Sequence, residues 1–284
     1  MSQNLFMRDV QSVIDDAPIL YKFFEFNENV LYGLIDNYLW FSTAEKFNDP
    51  FEGVSSTTLE EQFIVTASYI DGLDNNDLEA VKANYCKSPS KVRAYYFEKY
   101  LEVYLNDINQ YRNLGFCCFL SGLEKNRLST AQEIMMWSHY SDGLRGFRII
   151  YDTSKLIKSV PSADIYPITY TETPPNVDLA LYVYETQVSP SGPRYRHSFA
   201  QNVFSTKHIS WSYEREVRLR RPESGPCPFD KDSIIGVDFG SKMTLSQIRI
   251  VKALLSHLNQ KPEYRIAHIS GSSYRITYSA CVDD

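Results

Sequence analysis

Glu214 and Glu216 stand one residue apart in Trp211-Ser212-Tyr213-Glu214-Arg215-Glu216-Val217-Arg218-Leu219-Arg220. The alternation predicts a strand over Trp211–Arg221. Trp211, Tyr213, Val217 and Leu219 then share one face, and Ser212, Glu214, Glu216, Arg218 and Arg220 the other. Carboxylates two residues apart on a strand lie about 7 Å from each other. Such a pair can divide the work of breaking a glycosidic bond. One holds a sugar hydroxyl, and the other stabilises a developing oxocarbenium ion. The same pattern fits a solvated face of Glu–Arg pairs. Between Arg194 and Arg221 there are seven basic residues against these two acids, within a chain of net charge −6. That local excess suits an anionic ligand, a dinucleotide or a nucleic-acid strand, and suits equally well internal pairing with acidic segments.

Two further segments carry candidate groups. Asn48-Asp49-Pro50-Phe51-Glu52 is a turn signal, and a loop of this composition can also present Asn48, Asp49 and Glu52 to a ligand. Trp137, His139 and Tyr140 close a short helix. They read either as the edge of a core or as a surface that stacks a flat ring. The five histidines, His139, His197, His208, His257 and His268, are isolated, and the five cysteines include no CxxC. No metal site is expected, and the cysteine usage fits a reducing compartment.

These groups need a scaffold. The chain has 284 residues, 43% hydrophobic and 23% charged, enough for one substantial core. It holds 21 tyrosines, which suit half-wet elements or a cleft for flat ligands. Met1–Leu20 carries Asp9, Asp15 and Asp16, and the longest apolar run, Leu114–Leu123, is about half a membrane span. The expectation is a cytoplasmic protein with no membrane association. Strands are expected at Leu20–Phe24, Tyr38–Ser42, Gly115–Leu120, Phe147–Tyr151, Asp164–Tyr170, Ile234–Phe239, Tyr264–Ile269 and Tyr274–Tyr278. Helices are expected at Asn29–Asn37, after Ser88, from Thr130 to Tyr140, from Pro174 to Gln187 and from Thr244 to Leu258. In the helix after Ser88, Phe97, Leu101, Tyr104, Leu105 and Ile108 form the apolar stripe. Ser189–Pro193 reads as a loop. The fold class is α+β: one domain over residues 1–284 on a central, mostly antiparallel, split sheet, with a helical insertion at 59–112.

The order of motifs resembles a bacterial domain-of-unknown-function family, DUF2971. It is carried by Leu20-Tyr21-Lys22-Phe23, Phe47-Asn48-Asp49-Pro50-Phe51-Glu52, Met136-Trp137-Ser138-His139-Tyr140 and Arg145-Gly146-Phe147, and then by Lys207, the Glu214-x-Glu216 segment and Asp238-Phe239-Gly240. The layout also resembles ADP-ribosyltransferases. That resemblance implies NAD as cofactor, with Glu216 catalytic and Glu214 on the acceptor side. It places Tyr21, Lys22 and Ser42 at the cofactor, together with Asn48, Asp49, Glu52, Trp137, His139, Tyr140 and Arg218. Lys22 stands where the nucleic-acid-modifying members carry histidine, and the first strand lacks the arginine of the arginine-modifying branch. The resemblance further implies a toxin or phage-defence role, a nucleic-acid or protein acceptor, and an antitoxin or chaperone partner. A metal-dependent nuclease using Asp49, Glu52, Glu214 and Glu216, and a non-catalytic binding or sensor protein, stay open beside it.

Overall fold

The computed structural model describes residues 10–122, 127–256, 258–259 and 261–281. Residues 1–9, Leu123 and His257, which entered the leader, apolar-run and metal arguments, lie outside the described residues. The chain divides into two compact units. A helical unit comprises Ala44–Asn113 and Thr169–Ile209, and a sheet unit comprises the other described residues.

The sheet unit is built on eight strands. They are β1 Ile19–Phe24, β2 Gly115–Ser121, β3 Phe147–Asp152, β4 Asp164–Pro167, β5 Glu216–Arg221, β6 Ile234–Gly240, β7 Glu263–Ile269 and β8 Ile276–Ala280. Their order across the sheet is β8-β7-β6-β3-β1-β2-β5-β4. Every neighbouring pair is antiparallel except β6–β7, so the α+β class and the mostly antiparallel sheet are observed. The sheet is one hydrogen-bonded layer with a narrow place in it. β1 and β2 pair only at Leu20–Ser121 and Tyr21–Leu120, whereas β1 and β3 pair along six positions.

The alternation of β-strand side chains divides the sheet into two faces. Leu20, Cys117, Phe119, Phe147, Ile149, Val217, Leu219, Val237 and Phe239 form one continuous apolar core. Tyr21, Phe23, Leu120 and Ile150 face the other side, against Met136 and Trp137 of the helix Thr130–Tyr140. That helix opens with a capping box one residue ahead of the Thr130–Glu133 pairing that the sequence suggests: Ser129 pairs with Gln132. Gly146 permits the entry to β3, because a Cβ there would stand 2.0 Å from the Phe24 carbonyl oxygen.

In the helical unit the buried stripe of the helix Pro89–Arg112 is Tyr96, Tyr100, Tyr104, Ile108 and Tyr111. It is rotated from the expected one; Leu105 is exposed. Tyrosines win because their rings interlock with the neighbouring helices Leu179–Gln187 and Gly192–Phe204. Tyr104 meets Tyr182 edge-on at 5.2 Å, and Tyr111 stacks on Phe204 at 5.1 Å. Two expected boundaries are corrected here. Asn176–Asp178 is a strand, and the helix begins at Leu179, capped by Asp178. The expected loop at Ser189–Pro193 gives way to a helix at Gly192, with proline in its first turn.

Candidate functional site

The segment bearing the two glutamates is not one strand. Ile209–Glu214 is a 3-10 helix, Arg215 adopts a left-handed backbone (φ 43°), and β5 begins at Glu216. The expectation of an eleven-residue strand with carboxylates side by side is therefore corrected. The corner is pinned by Ser121, whose N–H and hydroxyl both donate to the Arg215 carbonyl at 3.0 Å. Within β5 the expected faces hold: Val217 and Leu219 enter the apolar core. Glu216, Arg218 and Arg220 lie on the other face, but they are buried there rather than solvated.

The two carboxylates are held differently. Glu216 is 4% exposed and accepts from Arg218 Nε at 2.5 Å, with the Arg218 guanidinium fully buried. Glu214 accepts from the Tyr140 hydroxyl at 2.8 Å. Cys118 of β2 lies opposite Arg218. Burial first, and the Glu216 carboxylate second, push its thiol well above the ordinary range. Arg218 thus holds Glu216, so its guanidinium is not an open anion site.

A second cluster lies on the same face across the narrow place. Phe23, Arg148, Asp238 and Arg265 are register partners on β1, β3, β6 and β7. Arg148 donates to Asp238 through Nε at 2.8 Å and to Glu133 through Nη1 at 2.9 Å. Arg265 donates to Asp238 through Nε at 2.7 Å. Burial alone lowers the pKa of Arg148, but Asp238, Tyr278 and Glu133 outweigh it and hold the guanidinium above its ordinary value. The Tyr278 hydroxyl donates to Glu133, and burial pushes it above its ordinary range. Against this cluster opens a cavity of about 320 Å³, lined by Arg127, Arg148, Arg265 and Arg275, with Tyr21, Tyr278 and Glu133 in the wall. Four arginines line one space, Arg127 and Arg275 from exposed positions.

Tyr21 connects the two clusters. It lines the cavity, and burial raises its hydroxyl while Arg148 opposes that shift. Tyr21, Leu120 and Glu216 are successive register partners on β1, β2 and β5. Glu216 is thus two strand spacings, about 10 Å, from Tyr21 on one face.

The other expected site residues fall as follows. Lys22 lies on the apolar side and donates to the Cys118 carbonyl at 2.8 Å. Ser42 bridges its backbone to Phe116 of β2. Trp137, read as a stacking surface, is 1% exposed; its ring meets Phe23 edge-on and its Nε1 donates to Glu133. His139 is exposed. Asn48, Asp49 and Glu52 belong to the helical unit. There the Asp49 carboxylate accepts the Phe51 N–H at 2.9 Å, closing its own turn. Gly53 follows with φ 69° and packs against the Phe204 ring. The basic stretch is divided as well: Arg194, Arg196 and Lys207 lie in the helical unit, and Arg215 to Arg221 in the sheet unit. Much of it is paired internally, Arg196 with Asp107, Arg218 with Glu216, Arg220 with Asp164 and Arg221 with Glu223. Arg127, Arg148, Arg265, Arg275 and Tyr278 were not picked out by the sequence reading. The available signal was an arginine in an otherwise apolar strand, Phe147-Arg148-Ile149-Ile150-Tyr151.

Residues 136–219 match the protein family of unknown function DUF2971, in agreement with the motif order. The matched segment runs from the end of the Thr130–Tyr140 helix through β3 and β4 into β5, and so includes Tyr140, Arg148, Glu214, Glu216 and Arg218. Comparison with curated proteins and with solved structures returns no match. Among the described residues no helix is long and apolar enough to cross a membrane.

Proposed function

We propose that the sheet unit is an NAD-dependent ADP-ribosyltransferase. The observation that carries this reading is the arginine-lined cavity beside Tyr21, on the sheet face that also holds Glu216. Arg127 and Arg275 suit a pyrophosphate, because a guanidinium offers a planar pair of donors to phosphoryl oxygens, while Arg148 and Arg265, whose donors go to Asp238 and Glu133, add positive charge to the same wall. The donor set therefore fits the anionic part of a dinucleotide. NAD, when bound, supplies the ADP-ribosyl group with nicotinamide as leaving group. Arg127 and Arg275 would hold the phosphates, while Asp238 and Glu133 fix Arg148 and Arg265 in place. Arg218 orients Glu216 through the Nε bond to its carboxylate. A carboxylate so placed would stabilise positive charge developing at the ribose. Tyr140 positions Glu214 toward the acceptor side. Among the described residues no group of three or more His, Cys, Asp or Glu is gathered as a metal site, so no observation favours the nuclease reading.

The test is calorimetric titration of the full chain with NAD, followed by assay for released nicotinamide. Saturable binding that weakens about ten-fold in Arg275→Gln is expected. Release should be lost in Glu216→Gln with binding retained. Absence of NAD binding at millimolar concentration overturns the proposal.

A further inference from the structure

A larger cavity, about 720 Å³, lies elsewhere in the sheet unit and takes no part in the reading above. Its walls come from the helix Thr153–Ser159, the 3-10 turn Lys231–Ser233 and the segment around Asn259. Three lysines line it: Lys155, Lys158 and Lys231. Lys155 and Lys158 are exposed, but Lys231 is only 5% exposed. Its ammonium has no carboxylate or hydrogen-bond partner among the described residues. Burial lowers its pKa, with nothing opposing.

A lysine whose stem is buried while its unpaired ammonium is left to the cavity needs an explanation, because partial desolvation penalises its charged form. Aspartates flank it in sequence, yet both are occupied. The Asp230 carboxylate accepts the Asp232 N–H at 2.9 Å. Asp232 accepts from the Asn259 side-chain amide at 2.6 Å and from its backbone N–H at 3.3 Å. The local chain thus turns its negative groups onto itself and leaves the lysine to the cavity. Asn37 and Ser159 add neutral polar groups to the same walls.

We infer that this cavity is an anion site for a phosphoryl group, with Lys231 as the buried anchor and Lys155 and Lys158 as the exposed clamp. Compact ammonium charges without a guanidinium fork favour a phosphoryl group over planar carboxylate recognition. The charge also agrees: three lysines against two engaged aspartates leave an excess of one.

The experiment is lysine-ammonium NMR on the full chain, with the Lys231 signal assigned by its loss in Lys231→Met. Orthophosphate, pyrophosphate and ADP are titrated separately to millimolar concentration. A saturable shift of the Lys231 signal is expected. It should persist in Arg275→Gln, which separates it from the arginine cavity. In the Lys155→Met/Lys158→Met double variant the affinity should fall about ten-fold. A shift with orthophosphate and pyrophosphate assigns free phosphate as ligand, and a shift with ADP alone assigns a phosphate ester. No saturable shift with any of the three overturns the proposal and leaves the ammonium to solvent. A shift abolished by Arg275→Gln overturns it equally, since binding then belongs to the arginine cavity.

Discussion

The two faces of the eight-stranded sheet are cut from the same strands and do opposite things. On one side Leu20, Phe119, Phe147, Ile149, Leu219 and Phe239 pack with almost no polar group. On the other, Arg148, Asp238, Glu216 and Arg218 are as deeply buried but charged. Apolar burial contributes about 25 cal/mol per Å² removed from water. A buried ion pair contributes little net, because desolvation offsets its attraction. The charged face is therefore an expensive way to build a core, and its retention points to a site. The apolar face specifies the fold on which that site is held.

The difference can be broken most forcefully from the apolar side. Phe147→Ala removes a ring that is 0% exposed and should cost about 3–5 kcal/mol in a urea titration. Its effect on NAD binding by the folded fraction should be small. Asp238→Asn attacks the other face. It weakens the shared acceptor of Arg148 and Arg265 and leaves buried guanidinium charge undercompensated, at a cost of about 3–5 kcal/mol. The sharper test is the double variant Asp238→Leu/Arg148→Met. If the Arg148–Asp238 cluster serves a site rather than the fold, removing both partners should recover part of the stability, the rest being the cost of Arg265 and Glu133 each left short of a partner, while NAD binding is lost. Equal loss in single and double variants would mean that the cluster is structural.

The apolar face was largely legible in the sequence. Phe147, Ile149 and Tyr151 alternate, and so do Val217 and Leu219, because a strand with one buried side must repeat at period two. The charged face was legible only in part. Glu214-x-Glu216 stood out by type and spacing, but pattern alone could not distinguish a solvated row from a buried one. Sheet neighbours decide that, and β5 lies between β2 and β4. The corner at Arg215 escaped because an arginine inside an alternating run gives no turn signal. Arg148, Asp238 and Arg265 come from strands separated by many residues and meet only through strand order. Tyr21 was found through its motif; its partners in the cavity had none.

Lys231 lies outside both faces and tests the rule that buried charge is kept for a reason. Its pKa is lowered in the folded chain by burial. The unfolded chain therefore binds more protons between the lowered value and the ordinary one of about 10.4. Stability should rise as pH passes up through that window, in the direction linkage requires. Lys231→Met should stabilise the protein at neutral pH, by about 1 kcal/mol, and the gain should fade as pH approaches the ordinary lysine range. Urea titrations of both proteins at several pH values measure this. A gain that does not vary with pH would assign the effect to packing instead of charge.

The smallest effect is expected at the corner between the glutamates. Arg215 holds a left-handed backbone with a side chain that disfavours it, and its Nε is buried without a hydrogen-bond partner. Such strain costs about 1–3 kcal/mol and persists where the surroundings overdetermine it. Arg215→Gly removes the backbone penalty but loosens the unfolded chain, which offsets part of the gain. The net change should be a stabilisation of about 0.5 kcal/mol. Release of nicotinamide should fall, because a freer corner lets Glu214 and Glu216 drift from the positions that Tyr140 and Arg218 fix. A more stable protein with a slower reaction would show that strain at this turn serves the charged face. If stability rises and turnover is unchanged, the corner only joins a 3-10 helix to a strand.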